Sequence, residues 1–356
     1  MQLRPEGLTA HLAKGLARIY TVHGDEPLLA QEAADQIRVA ARAQGFGERQ
    51  IFTVSGAYFD WAPVLAAAQA MSLFAERQFI EIRIPTGKPG KEGSEALQRY
   101  AEAAPDDVLT LVTLPRLDKT QLSSAWFTAL DGNGVSVRVE PVERRLLPAW
   151  LAQRLKAQGQ SVPEGEDGQK ALAFFADRVE GNLLAAHQEL QKLALLHPRG
   201  ELTLEQIEAA VLDVARFDVF KLSEAVLSGA VPRLLRMLDG LEAEGEAAVL
   251  VHWTLAEDAR ALARVRAALD AGKPLPMAMR EARVWGAKER LIERIAPRLE
   301  AAQAGALVQA AQVCDGLVKG LRHPDWPSDP WAALRRLALM LAEAATGKSG
   351  AVLAPR

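Results

Sequence analysis

Leu109-Thr110-Leu111-Val112-Thr113-Leu114 is apolar almost without interruption over the length of a strand, the pattern of a central strand covered on both faces. Upstream, Phe79-Ile80-Glu81-Ile82-Arg83-Ile84 alternates apolar and charged residues. Downstream, Val135-Ser136-Val137-Arg138-Val139 alternates apolar and polar ones, so both runs read as half-buried strands. Candidate strands at 17–23, 50–55, 78–85, 108–114 and 135–141 are separated by helical stretches at about 26–45, 61–70, 92–104 and 121–131. That rhythm predicts an α/β domain over 1–141, with a mostly parallel sheet covered by helices on both faces.

Past Pro141 no convincing strand remains. Helical spacing at 146–158, 167–178, 182–196 and 204–212 predicts a small all-α second domain over 142–212. Its last helix opens on a capping signature, Thr203 at the N-cap and Gln206 at N3. Alanine and leucine then dominate helical stretches at 217–228, 231–243, 246–270, 275–282, 286–296, 299–321 and 328–345. A third, all-α domain over 213–345 is expected, followed by a fraying tail at 346–356.

Composition narrows the function classes. The 356 residues are 49% hydrophobic and 24% charged, an ordinary folded protein of two or three domains. A net charge of −3 gives no general attraction to phosphate backbones, so autonomous tight binding to nucleic acid is not expected. The single cysteine, Cys314, excludes an internal disulfide and fits a reducing, cytoplasmic setting. Met1-Gln2-Leu3-Arg4-Pro5-Glu6 lacks the apolar core of a signal peptide, and no run approaches a membrane span, so neither secretion nor membrane insertion is expected.

Catalytic patterns fail one by one. The turn after the first candidate strand, Val22-His23-Gly24-Asp25-Glu26-Pro27-Leu28, has one glycine, no Lys-Ser/Thr pair and two carboxylates that would repel phosphate; Gly24 reads as a turn glycine. Gly347-Lys348-Ser349 resembles the end of a phosphate loop, but Ala342 stands where the upstream glycine is needed and no strand precedes it. None of His11, His23, His187, His197, His252 and His323 forms a metal-binding pair at i, i+4. Asp106-Asp107 precedes a strand and reads as a solvated turn, while Cys314 lies in an apolar helix run. No catalytic, cofactor-binding or metal-ligating residue is assigned, and no cofactor is expected. A nucleotide-fold architecture without nucleotide chemistry suits binding better than catalysis.

One segment breaks the core logic: Gln69-Ala70-Met71-Ser72-Leu73-Phe74-Ala75-Glu76-Arg77-Gln78. Ser72 can cap a short helical turn that sets Leu73 beside Phe74, about 100° apart on a helix. Either one of the two faces inward with the other half-exposed, or both project as an apolar tip.

Over essentially its full length the chain resembles the delta-subunit family of bacterial DNA polymerase III clamp loaders. The resemblance is strongest in Gln69-Ala70-Met71-Ser72-Leu73-Phe74. It extends to His23-Gly24-Asp25-Glu26-Pro27-Leu28-Leu29, Ala125-Trp126-Phe127-Thr128-Ala129-Leu130 and Glu180-Gly181-Asn182-Leu183-Leu184-Ala185. It implies an AAA+-like first domain with a degenerate phosphate loop, a helical lid and a helical collar. It also implies that Leu73 and Phe74 plug a pocket on the β sliding clamp, with Met71 supporting them and Gln69 and Ser72 shaping the segment. The implied partners are that clamp, the gamma/tau and delta prime subunits, and primed DNA through the assembled loader. Trp253, Trp285, Trp326 and Trp331 are candidate collar anchors, with core packing the expected fate of any one. An ATPase with an unorthodox phosphate loop and a helical scaffold with a vestigial α/β domain are the competing readings; saturable ATP binding would favour the first, indifference to a sliding clamp the second.

Overall fold

Strands that are apolar on both faces need cover on both, and the first part of the chain supplies it. The computed structural model describes residues 1–56, 58–69, 77–212 and 214–347 and divides into two compact units, Met1–Leu146 and Leu147–Arg356. The first contains β1 (Gln2–Leu3), α1 (Pro5–Leu12), β2 (Ile19–Gly24), α2 (Pro27–Ala43), β3 (Phe46–Thr53), α3 (Ala62–Gln69), β4 (Arg77–Arg83), α4 (Gly90–Ala103), β5 (Val108–Leu114), α5 (Lys119–Leu122), α6 (Ala125–Asn133) and β6 (Val135–Val139). Among the described residues these strands form one six-stranded sheet in the order β1-β6-β2-β5-β4-β3, with every pairing parallel.

The expected parallel α/β architecture is present, and β5 lies in the sheet interior between β2 and β4. Helices α1 and α2 cover one face. The other buries Ile80, Ile82, Ile84 and Val112 against Leu97 and Tyr100 of α4 and Trp126 and Phe127 of α6. Two short elements escaped the sequence pattern: β1 has only two residues, and α1 only eight, with Leu8 as its one buried side chain.

The half-buried reading of 78–85 is corrected. Strand β4 has neighbours on both sides, and Glu81 is wholly inaccessible to solvent. The polar alternation records an internal ion cluster instead of a wet face. Arg38 of α2 donates to Glu81 through Nε at 3.2 Å and Nη2 at 2.8 Å, Arg49 of β3 through Nη2 at 2.6 Å, and Arg83 through Nε at 2.7 Å. In β6 likewise only Arg138 is exposed.

The second unit continues with α7 (Leu147–Ala157), β7 (Gln160–Ser161), α8 (Glu166–Val179), α9 (Leu183–Leu196), β8 (Gly200–Glu201), α10 (Leu204–Ala210), α11 (Leu222–Ser228), α12 (Val231–Ala243), α13 (Ala248–Asp270), α14 (Leu275–Glu281), α15 (Glu289–Ile295), α16 (Ala301–Val318) and α17 (Pro330–Thr346). It is helical as expected, apart from a two-residue parallel bridge between β7 and β8 that is too short for any periodicity to show. Thr203 and Gln206 form the anticipated capping box at α10. From α11 to α17 one apolar core includes Leu238, Leu255, Leu307, Cys314 and Leu337. Burial pushes the Cys314 thiol up to about 12, with Asp315 adding to the rise, so it stays protonated.

Burial by itself would raise the Glu81 pKa, but hydrogen bonds from Arg38, Arg49 and Arg83 together outweigh it and hold the group at about 2 instead of 4.5. A depressed carboxylate stabilises the fold above its unfolded pKa, and that contribution disappears as pH falls from about 4.5 toward 2. At neutral pH it amounts to about 3 kcal/mol. Glu81→Gln is therefore expected to lower the urea midpoint markedly at pH 7, with the gap from the unaltered chain closing as the pH is lowered through this window.

Candidate functional site

The segment singled out above hangs between α3 and β4. Gln69 is the last residue of α3, while Met71, Ser72, Leu73 and Phe74, with the turn expected at Ser72, lie outside the described residues. What is described are the two attachments. On the upstream side Trp61 is 6% exposed and lies so close to Gly93 of α4 that a Cβ there would come within 2.7 Å of the indole. Phe59 meets the same indole edge to face at 5.2 Å. Asp60 Oδ1 accepts from the Ala62 N–H at 2.9 Å, the Leu65 N–H donates to Trp61 O at 3.1 Å, and Val64 and Ala67 are buried. On the downstream side Arg77 stacks its guanidinium over Phe46 at 5.4 Å and donates to Gln44 O at 3.1 Å. The next N–H, of Gln78, donates to Asp107 O at 2.9 Å and enters the sheet. The residues on either side of 70–76 are thus fixed to the core.

The place where a phosphate loop would lie is filled by other interactions. Gly24 ends β2 at φ +153°, and a Cβ there would fall 1.8 Å from Val139 O, so close strand approach requires the glycine. Asp25 pairs with Arg116 at 3.1 Å. Glu26 is the N-cap of α2, its Oε1 accepting from the Leu28 N–H at 3.4 Å, and Pro27 at N1 brings no donor. The Leu28 amide at the positive helix end, which would attract phosphate, already faces a carboxylate. His23 is buried edge to face against Phe127 at 5.2 Å, and burial, reinforced by Arg138, lowers its pKa so that the ring is neutral. Gly347 caps α17 in the left-handed region; Lys348 and Ser349 lie outside the described residues.

The remaining segments hold structure together. Trp126, Phe127 and Leu130 of α6 are core residues. Glu180 pairs with Arg233 of α12 at 2.6 Å, a Cβ on Gly181 would collide with Arg216 O at 1.8 Å, and the Asn182 side chain caps α9 through the Ala185 N–H. Asp106 is almost fully exposed, 3.4 Å from Arg18. Among the described residues no group of three or more His, Cys, Asp or Glu side chains is placed to hold a metal ion, and no helix is long and apolar enough to cross a membrane. Core packing, expected for each tryptophan, holds in part for Trp326 and Trp331 but not for Trp253 and Trp285, which are 52% and 62% exposed. Trp253 has an exposed partner, Phe220, edge to face at 6.3 Å. The cluster that the sequence reading missed is Arg38, Arg49, Glu81 and Arg83; the paired charges at Glu81 and Arg83 in the run Phe79–Ile84 were its one visible sign.

The family model described as "DNA polymerase III, delta subunit" matches residues 20–140. Two curated relatives carry the name DNA polymerase III subunit delta. That of Escherichia coli (strain K12) is 36% identical over 341 residues, covering 96% of this chain and 96% of its own length. That of Haemophilus influenzae is 32% identical over 254 residues, covering 70% and 72%. Among solved structures the DNA clamp loader delta protein of Bacillus subtilis aligns over 95% of this chain and 99% of its own, with 18% identity and a TM-score of 0.48.

Because the Trp61 indole packs into the notch that Gly93 leaves in α4, Trp61→Ala removes the main support at the start of α3. The expected cost is about 3–5 kcal/mol of stability, read by urea denaturation of the whole chain.

Proposed function

The chain belongs to the DNA polymerase III delta-subunit family, and from that membership we propose that it grips the β sliding clamp and holds the ring open for loading onto primed DNA. The observation that carries the reading is the match to a delta subunit over 96% of both chains. As a clamp-loader subunit it works within a multi-subunit complex, here assigned gamma/tau and delta prime as neighbours. In this reading 1–141 is the AAA+-like clamp-binding domain, 142–212 the lid and 213–345 the collar that packs against the other subunits, all in the cytoplasm.

The grip is hydrophobic and mechanical. Leu73 and Phe74 enter an apolar pocket on the clamp, Met71 backs them, and Gln69 and Ser72 set the shape of the segment. The placement of Gln69 in α3 and Arg77 in β4 supports the reading, because firm flanks lessen what binding must order. Once seated, the tip strains a clamp interface and traps it open. ATP binding by neighbouring subunits exposes the tip, and hydrolysis on primed DNA withdraws it.

Burying a leucine or a phenylalanine side chain contributes about 1.5–3 kcal/mol each, and central anchors of this kind often cost about 2 kcal/mol or more on truncation. The double variant Leu73→Ala, Phe74→Ala is therefore expected to bind purified β clamp at least about 30-fold more weakly, measured by surface plasmon resonance with circular dichroism confirming the fold. Equal binding by both proteins would move the interface elsewhere on the chain.

A further inference from the structure

A second surface of the first unit is built for a ligand of opposite character. Beneath α2, a cavity of about 330 Å³ is bordered by Gln31 and Arg38 of α2, Glu81 and Arg83 of β4 and Thr113 of β5. Its volume is at the small end of ligand sites, which run from about 300 to 1,000 Å³. The Glu81 carboxylate cannot serve as an acceptor there, because each of its oxygens already takes two N–H donors: Oε1 from Arg38 and Arg83, Oε2 from Arg38 and Arg49. The donors are not all used. Arg83 commits only Nε to Glu81 and Arg49 only Nη2, while the third arginine, Arg38, turns Nη1 to Asp35 at 2.5 Å. Three guanidiniums against two carboxylates leave one net positive charge. The guanidinium of Arg83, 43% exposed, faces the cavity with both Nη groups unspent among the described residues.

We propose that this cavity binds a phosphate group, held bidentately by Arg83 and supported by Arg38 and the Thr113 hydroxyl. A planar guanidinium with two parallel N–H groups matches two phosphate oxygens, and partial burial strengthens the contact relative to water. Glu81 acts as a positioning residue: it gathers three arginines that would otherwise repel one another and fixes their orientation before the anion arrives. The pocket is distinct from the turn at Gly24–Pro27, where Asp25 pairs with Arg116 and Glu26 accepts from the Leu28 N–H. The phosphate can belong to a free ion such as pyrophosphate or to the backbone of DNA, and the two sources present the same oxygens to Arg83.

The test uses the full chain with two probes, inorganic pyrophosphate and a short DNA duplex, titrated calorimetrically at low salt. Each is compared with Arg83→Gln and with Arg138→Gln, an exposed arginine on β6 outside the cavity. Arg83→Gln is preferred to a change at Glu81 because its partly exposed side chain can be replaced while Arg38 and Arg49 still neutralise the carboxylate. The proposal expects saturable binding of at least one probe, weakened about tenfold or more by Arg83→Gln and unaffected by Arg138→Gln. Pyrophosphate binding with that signature assigns a free anion, and duplex binding alone with it assigns the DNA backbone. Absence of binding by both probes, or binding that survives Arg83→Gln or falls equally in Arg138→Gln, overturns the proposal.

Discussion

A carboxylate with no access to water sits inside the sheet, one strand from its edge, and three arginines keep it there. Glu81 ties α2 through Arg38, edge strand β3 through Arg49 and its own strand through Arg83. Such a cluster stabilises little relative to an apolar replacement of the same shape, because desolvating the ions offsets most of their attraction. Its effect is on register. Successive side chains of β4 alternate faces, so a slip of one residue would drive Glu81 into the apolar layer of Ile80, Ile82 and Ile84 against α4 and α6. The pairing of β4 with β3 and β5 is thus held to one alignment by electrostatics as well as by shape.

Register matters because β4 carries one end of the candidate clamp-binding segment. The strand emerges at Arg77, and the helix before the segment rests on Trp61 in the notch of Gly93. A shift of either support would displace whatever residues 70–76 present. In the proposed reading, an apolar tip of two side chains has only a few kcal/mol to offer a partner, and ordering its base on binding would consume a large part of that. A stiff sheet and a buried tryptophan meet that requirement without any catalytic group.

The parallel α/β unit and the helical remainder were legible because their signals are long: strands of five to eight residues and helices of up to 23. Strand β1, with two residues, and the β7–β8 bridge carry no periodicity and could be seen only in space. The ion cluster was hidden for a different reason. Glu81 and Arg83 look like the wet face of a strand until Arg38 and Arg49, 43 and 32 residues away in sequence, are brought alongside. The exposed ring of Trp253 was equally unreadable, since helical spacing does not say which face of α13 is covered. At the candidate site the reading came from Leu73 and Phe74 as residue types and from family resemblance; the structure adds the supports on either side.

The second unit shows how a chain of helices avoids becoming a string of hinges. Around 178–182 and 214–216 the backbone pairs with itself: the Val214 N–H donates to Arg178 O and the Arg216 N–H to Glu180 O, both at 2.8 Å, and Asn182 Nδ2 donates to Val214 O at 3.0 Å. Gly181 makes the approach sterically possible. Glu180 then reaches Arg233, and Arg236 of the same helix reaches Asp177 at 2.8 Å, so α12 is fastened to the end of α8 by two ion pairs. The Glu180–Arg233 pair is largely buried, so losing it is costlier than losing a surface pair, even though Arg233 also lies 3.6 Å from Glu224. Val214 and Arg216, between α10 and α11, are consequently held against the end of α8 and the start of α9.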